Sequence, residues 1–170
     1  MDQQAVKTIS DVNAMSPRDF LDAFGDVAEH SPWVAREAAS FRPFGGRDEM
    51  VLHFERALKS ANRDAQIALV RAHPDLATRA KLTEDSTREQ AGAGLNTLMA
   101  EEFARFTDLN TRYKERFGFP FIFAVKGATK HMILDSFAER VSNDPAVEFE
   151  TALRQISRIF RFRIEDRVSA

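Results

Sequence analysis

Apolar positions recur at three- and four-residue spacing along most of the chain, the period of helices that each bury one face. Behind Ser16-Pro17, an N-cap type followed by proline at the first helical position, Phe20, Leu21, Phe24, Val27 and Ala28 share one such face. Ser31-Pro32 predicts the start of a short helix carrying Trp33, Val34 and Ala38. Pro43-Phe44-Gly45-Gly46 reads as a loop. After it, Val51, Phe54 and Leu58 mark a third helix, and Ile67, Leu69 and Val70 a fourth. The fourth must end near Ala72, because Pro74 disfavours the α region at His73.

The stretch from His73 to Asp85 is the least regular part of the first half. Ser86-Thr87-Arg88-Glu89 matches a capping box, which predicts a helix opening there and running towards Gly94. Leu98 to Arg116 is amphipathic, with Phe103, Phe106, Leu109 and Tyr113 inward, and Gly118-Phe119-Pro120 breaks it. Phe121-Ile122-Phe123-Ala124-Val125 is a continuous apolar run, expected to be extended and buried. Thr129 to Val141 is helical again. Asp144-Pro145 starts the last helix, with Phe149, Leu153, Ile156, Ile159 and Phe160 on its inner face. The expected class is all-α: a single-domain helical bundle of about eight helices, with an irregular buried segment near residues 118–126. The domain spans residues 1–170, its core about 16–168, with no internal repeat and no linker.

Composition narrows the function classes. At 170 residues, 44% of them hydrophobic, the chain can build a sizeable core. Fifteen residues are Phe against one Trp and one Tyr, so that core carries few polar handles. A net charge of −2 argues against a nucleic-acid binder. The absence of cysteine excludes disulfides, thiolate metal sites and cysteine nucleophiles. The polar start, Met1 to Asp11, does not read as a signal segment, and no apolar run is long enough to span a bilayer. Val168-Ser169-Ala170 is not a Ser-Lys-Leu address, so the expected compartment is the cytoplasm.

Among four histidines, His30, His53 and His131 read as surface or structural residues. His73 differs. Pro74 restricts its backbone, and a general acid or base needs a group titrating near neutrality and held in place. A helix-end histidine can also simply cap carbonyls, so both readings stand. Glu89 has two readings as well: the carboxylate of a capping box, or a group at a helix start, where free N–H groups and the dipole favour an anionic ligand. Gln90 carries an amide that donates and accepts in one plane, as a ureido group requires. Gly92 and Gly94, within the predicted helix, suggest close backbone packing. Arg161 and Arg163 point about 160–200° apart on a helix, so one faces solvent and the other the protein. An inward Arg163 needs a carboxylate or a ligand as partner.

In their order along the chain, His73-Pro74-Asp75-Leu76, Ser86-x-x-Glu89-Gln90, Ala93-Gly94-Leu95 and Arg116-Phe117-Gly118-Phe119-Pro120-Phe121 resemble the OHCU decarboxylases. These enzymes act on 2-oxo-4-hydroxy-4-carboxy-5-ureidoimidazoline (OHCU). Phe41-Arg42-Pro43-Phe44 adds to the likeness, which runs from Ser16-Pro17 to about Val168. The resemblance implies an all-helical domain that converts OHCU to (S)-allantoin and CO2, the last step of urate conversion to allantoin, with no metal and no organic cofactor. It implies His73 as the catalytic histidine with Glu89 as its acidic partner. It further implies substrate contacts from Pro74, Ser86, Gln90, the main chain of Phe121, Ile122, Phe123, Ala124 and Val125, and Arg163. The expected partners are the substrate and product, with a homodimer as the family's common assembly, and neither nucleic acid nor membrane. Two rivals remain on the residues alone. One is a helical interaction module without catalysis; the other is a metal-dependent hydrolase built on His73, Asp75, His131 and carboxylates, though the chain has no His-x-x-x-His pattern and no dense ligand cluster.

Overall fold

In the computed structural model, residues 5–78 and 82–170 are described. Among them the chain is all-α, with nine helices and no strand; one parallel bridge joins Lys7 to Val168. No described helix is long and apolar enough to cross a membrane. The contacts group the chain into two compact units, residues 1–72 with 157–170, and residues 73–156.

The first unit holds α1 (Ile9–Ala14), α2 (Pro17–Phe24), α3 (Trp33–Ala39), α4 (Arg47–Ser60), α5 (Arg63–Ala72) and residues 157–167 of α9 (Pro145–Arg167). Ser16 caps α2 through the Asp19 N–H, and Pro17 takes the first helical position as expected. Ser31 does not cap α3. The N-cap there is Pro32 in helical geometry, while the Ser31 hydroxyl donates to Glu29 O at 2.8 Å. Helix α1 lies in a stretch whose polar residues gave no amphipathic signal. Its stability is local: Thr8 and Asp11 form a reciprocal capping box, which holds the Asp11 carboxyl below its ordinary pKa by accepting from the Thr8 N–H. The core of this unit is aromatic. Phe20 lies 5.0 Å from Phe24 and 6.3 Å from Phe44 and from Phe54, and Phe54 meets Phe160 edge-on at 6.2 Å.

The second unit holds α6 (Glu84–Gly92), α7 (Ala100–Phe117), α8 (Lys130–Arg140) and residues 145–156 of α9. Phe106, Leu109 and Tyr113 are buried along α7, as the periodicity predicts. Gly118 ends α7 at φ 76°, a left-handed conformation that favours glycine. Thr129 caps α8 through the Met132 N–H.

Two expectations around α6 are corrected. The helix begins three residues earlier than the Ser-x-x-Glu pattern indicates. Thr83 is its N-cap, its hydroxyl accepting from the Ser86 N–H at 3.3 Å, so Ser86 is the third helical residue and Glu89 the sixth. The four-residue capping pattern is short enough to recur by chance, and Thr83 competes with Ser86 on equal chemical terms. Gly92 and Gly94 are not sites of close packing either, since a Cβ on either would meet nothing within 4 Å. Gly94 instead adopts φ 83°, with Gly94 N donating to Ala91 O at 3.0 Å and Leu95 N to Gln90 O at 2.9 Å. These are the paired bonds of a Schellman ending, and Leu95, which follows, is buried.

If Thr83 is the cap, Thr83→Ala should lower stability by about 1 kcal/mol, and Thr83→Ser should recover most of it. Urea unfolding monitored by circular dichroism measures both. A silent Thr83→Ala would return the cap to Ser86.

Candidate active site

Helix α5 releases the chain at Ala72, and His73 follows, 8% exposed. The residues after Pro74 leave helical geometry, so their backbone groups need partners from elsewhere. Side chains supply them. Gln90 Nε2 donates to Asp75 O at 3.3 Å, and its Oε1 accepts from Ala77 N at 3.0 Å. From α7, Asn110 Nδ2 donates to Leu76 O at 2.9 Å and Lys114 Nζ meets Asp75 Oδ2 at 2.7 Å. Ala77 sits at φ 57°, where a residue with a Cβ is disfavoured by about 1 kcal/mol. The bonds from Gln90 and Asn110 hold the turn in that conformation.

On α6, Ser86 and Gln90 are buried and Glu89 is half-buried. Positions 86, 89 and 90 stand three and four residues apart and so share one side of the helix. Because Gln90 reaches Asp75 and Ala77, that side of α6 packs on the turn that His73 opens. Two sequence motifs are thereby brought into one place. With Thr83 as the cap, Glu89 lies in the second turn of the helix and does not serve the capping box expected of it. The first turn carries Glu84 and Asp85, so the positive end of the helix already faces two carboxylates, against the expectation of an anion site there. Asp85 in turn pairs with Arg88 at 2.7 Å.

The run Phe121–Val125 is non-helical and pairs with no strand. Phe121, Ile122, Ala124 and Val125 are buried, and Phe123 is half-buried. Its backbone also leans on side chains: Arg140 Nη1 donates to Ile122 O at 2.8 Å, and Gln155 Oε1 accepts from Ala124 N at 2.9 Å. Arg140 is itself held by Glu148, fully buried, whose Oε1 accepts from Arg140 Nε at 2.6 Å and from the Tyr113 hydroxyl at 2.6 Å. Asn143 Nδ2 adds a bond to Glu148 Oε2 at 3.2 Å. Burial pushes the Tyr113 phenol well above its ordinary pKa, and the bond to Glu148 acts in the same direction, so the hydroxyl stays a donor. The Arg140 guanidinium lies 4.3 Å over the Phe121 ring, which stacks on Phe137 at 3.9 Å.

The arginines of the last helix separate as expected. Arg163 is 2% exposed and its Nη1 donates to Glu29 Oε2 at 2.8 Å and to Val27 O at 3.2 Å. Arg161 makes a surface pair with Asp48 at 3.1 Å. His30 is exposed at φ 47°, and His131 is exposed on α8. His53 stacks on Phe41 at 4.6 Å and on Phe44 at 5.7 Å. Asp75 of the metal-hydrolase rival is engaged by Lys114. Among the described residues, no group of three or more His, Asp or Glu side chains is placed to hold a metal ion.

The sequence reading did not single out Asn110, Lys114, Arg140 or Gln155. Asn110 alone left a trace, a polar residue beside Leu109 in the inward stripe of α7. Arg140 stands in the last turn of α8, where a basic residue is common and draws no notice.

A family model described as OHCU decarboxylase matches residues 13–165. The chain belongs to the OHCU decarboxylase family. It is 42% identical to the 2-oxo-4-hydroxy-4-carboxy-5-ureidoimidazoline decarboxylase of Haloferax volcanii over 163 residues, covering 96% of this chain and 97% of the relative. A solved (S)-allantoin synthase matches 95% of the chain with a TM-score of 0.77 at 28% identity; the chain spans 54% of that protein's length. A solved OHCU decarboxylase in the presence of (S)-allantoin matches 82% of this chain and 92% of its own, with a TM-score of 0.69 at 25% identity.

The two arginines give a direct check on the buried pair. Arg163→Met leaves Glu29 buried without its guanidinium and should cost about 3 kcal/mol. Arg161→Met should cost under about 0.5 kcal/mol, since its pair with Asp48 is solvated. Equal midpoints for the two variants in chemical unfolding would contradict this assignment.

Proposed function

We propose that His73 and Glu89 form the acid–base pair of this OHCU decarboxylase. Pro74, Ser86, Gln90 and the main chain of Phe121–Val125 hold the substrate. The reaction is that of the family, decarboxylation of OHCU to allantoin. The observation that carries the residue assignment is the pair of hydrogen bonds from Gln90 to Asp75 and Ala77. They dock the Ser86–Glu89–Gln90 side of α6 on the turn opened by His73.

OHCU carries a carboxylate and a hydroxyl on one ring carbon, beside a carbon doubly bonded to nitrogen. When the bond to the carboxylate breaks, CO2 leaves and the electron pair moves into a new ring C=C as the C=N π electrons shift to nitrogen. The substrate therefore contains its own electron sink, the role a cofactor plays in many decarboxylases. The resulting enol-like intermediate loses its hydroxyl proton and gains one at the ureido-bearing carbon, and one proton is consumed overall. In this reading Glu89 orients the imidazole and the substrate hydroxyl, and His73 moves the proton. A donor held by Pro74 and the clamped turn reaches one face of the intermediate, which makes the product (S)-allantoin. Gln90 Oε1 has a second lone pair and Nε2 a second hydrogen beyond the two bonds to the turn, enough to meet a ureido edge. We place the enzyme in the cytoplasm, acting as a homodimer.

The assay uses freshly generated OHCU and follows optical activity as well as rate, because spontaneous decay gives racemic allantoin. His73→Asn should fold normally and lose a factor of about 10² to 10⁴ in turnover. A folded His73→Asn with wild-type rate would remove His73 from the mechanism.

Glu89→Gln tests the second member of the pair. It keeps size and hydrogen-bonding capacity but loses the charge, so activity should fall steeply while the melting temperature moves little. Parallel loss of both, read from the same samples by the OHCU assay and thermal unfolding, would make Glu89 a structural residue.

A further inference from the structure

Two polar side chains fix two adjacent peptide planes of the Phe121–Val125 run. Arg140 Nη1 donates to Ile122 O at 2.8 Å, and Gln155 Oε1 accepts from Ala124 N at 2.9 Å. Both peptide units are trans; among the described residues the Arg42–Pro43 bond is the cis one. In a trans unit the C=O and the next N–H point in opposite directions. Anchoring Ile122 O on Arg140 therefore turns the Phe123 N–H away from the guanidinium. Anchoring the Ala124 N–H on Gln155 likewise turns the Phe123 C=O away from that amide. We infer that Arg140 and Gln155 are positioning residues for the decarboxylation, setting the direction of the Phe123 main-chain donor and acceptor that meet the substrate's amide edge. This rests on the reading that the run binds substrate through its main chain.

The supporting structure is more elaborate than chain packing requires. Phe121, Ile122, Ala124 and Val125 are apolar and buried, and they would fill a core in several backbone orientations. The Arg140 guanidinium removes that freedom. It is pinned by fully buried Glu148, which Tyr113 and Asn143 also hold, and it lies against the Phe121 ring. A charged donor on Ile122 O also polarises the peptide it belongs to, which strengthens the Phe123 N–H as a donor. Neither Arg140 nor Gln155 is placed here against the reacting atoms. Their effect travels through the backbone of Phe123.

Three variants of the full-length protein separate positioning from folding. Gln155→Leu removes the acceptor for Ala124 N, while Gln155→Glu keeps one. Arg140→Met combined with Glu148→Gln removes the buried charges together, so no unpaired ion remains in the core. Kd for allantoin is measured by calorimetry, kcat and KM with OHCU, and the melting temperature by circular dichroism. Gln155→Leu and the double variant should fold with cooperative transitions, and Kd and KM should rise about tenfold, the scale of one lost good hydrogen bond to a ligand. The pH dependence of kcat should stay that of the wild type. Gln155→Glu should return Kd towards the wild-type value. Folded Gln155→Leu that binds allantoin as tightly as a binding-competent wild type would overturn the inference and leave the catalytic assignment standing, whether or not the double variant folds. If wild-type protein turns over OHCU but a Phe123→Pro variant, which deletes that N–H, keeps full affinity for allantoin, the main-chain binding reading itself fails, and the positioning role with it.

Discussion

A buried N–H or C=O outside a helix must still find a hydrogen-bond partner, and the arrangement of residues 73–156 follows from that requirement. Two stretches in this unit leave helical geometry while staying largely buried: the turn after His73 and the run Phe121–Val125. With no strand beside them, side chains take over the ladder's task. Gln90 and Asn110 serve Asp75, Leu76 and Ala77, while Arg140 and Gln155 serve Ile122 and Ala124. A helix satisfies its own backbone and presents only side chains. An irregular segment pinned from one side can present main-chain donors and acceptors on the other, which is what recognition of a small, amide-rich molecule calls for. The helical fold makes such segments expensive in unsatisfied groups, and the polar residues placed inside an otherwise Phe-rich core are the compensation.

The helices were legible in the sequence wherever a long apolar stripe or a proline boundary marked them. Ser16-Pro17, the end of α5 before Pro74, the break at Gly118 and the start at Asp144-Pro145 all stand where local sterics put them. Short signals fared worse. The capping box at Ser86–Glu89 yielded to Thr83, because a four-residue pattern contains no information about which of two equivalent hydroxyls the helix will select. The short α1 has no stripe to reveal it, and its capping box lies within polar sequence. At the candidate site, His73 and Gln90 were legible as residues with chemistry to offer and a resemblance to place them. Their supports were not. Lys114 and Asp75 stand 39 residues apart, and Asn110 and Leu76 stand 34 apart. No periodicity encodes a pairing between a helix and a distant turn.

The buried ion pairs show the same logic from the side of energy. Among the described residues, Arg163 pairs with Glu29 in the first unit and Arg140 with Glu148 in the second. Removing two charges from water costs several kcal/mol per ion, and an apolar pair of similar volume often does as well or better for stability. Stability is therefore a poor account of why either pair is present. What an apolar replacement could not do is donate to a carbonyl, and both arginines do so, Arg163 to Val27 O beyond the end of α2 and Arg140 to Ile122 O. In each case the carboxylate fixes the guanidinium and the guanidinium fixes a stretch of non-helical backbone. The planar fork suits this double duty, since it can hold a carboxylate with one edge and a carbonyl with another, whereas an ammonium on a flexible stem fixes neither direction. The charges buried in this core are thus explained by backbone geometry they impose, and that geometry is where the molecule departs from a plain bundle of helices.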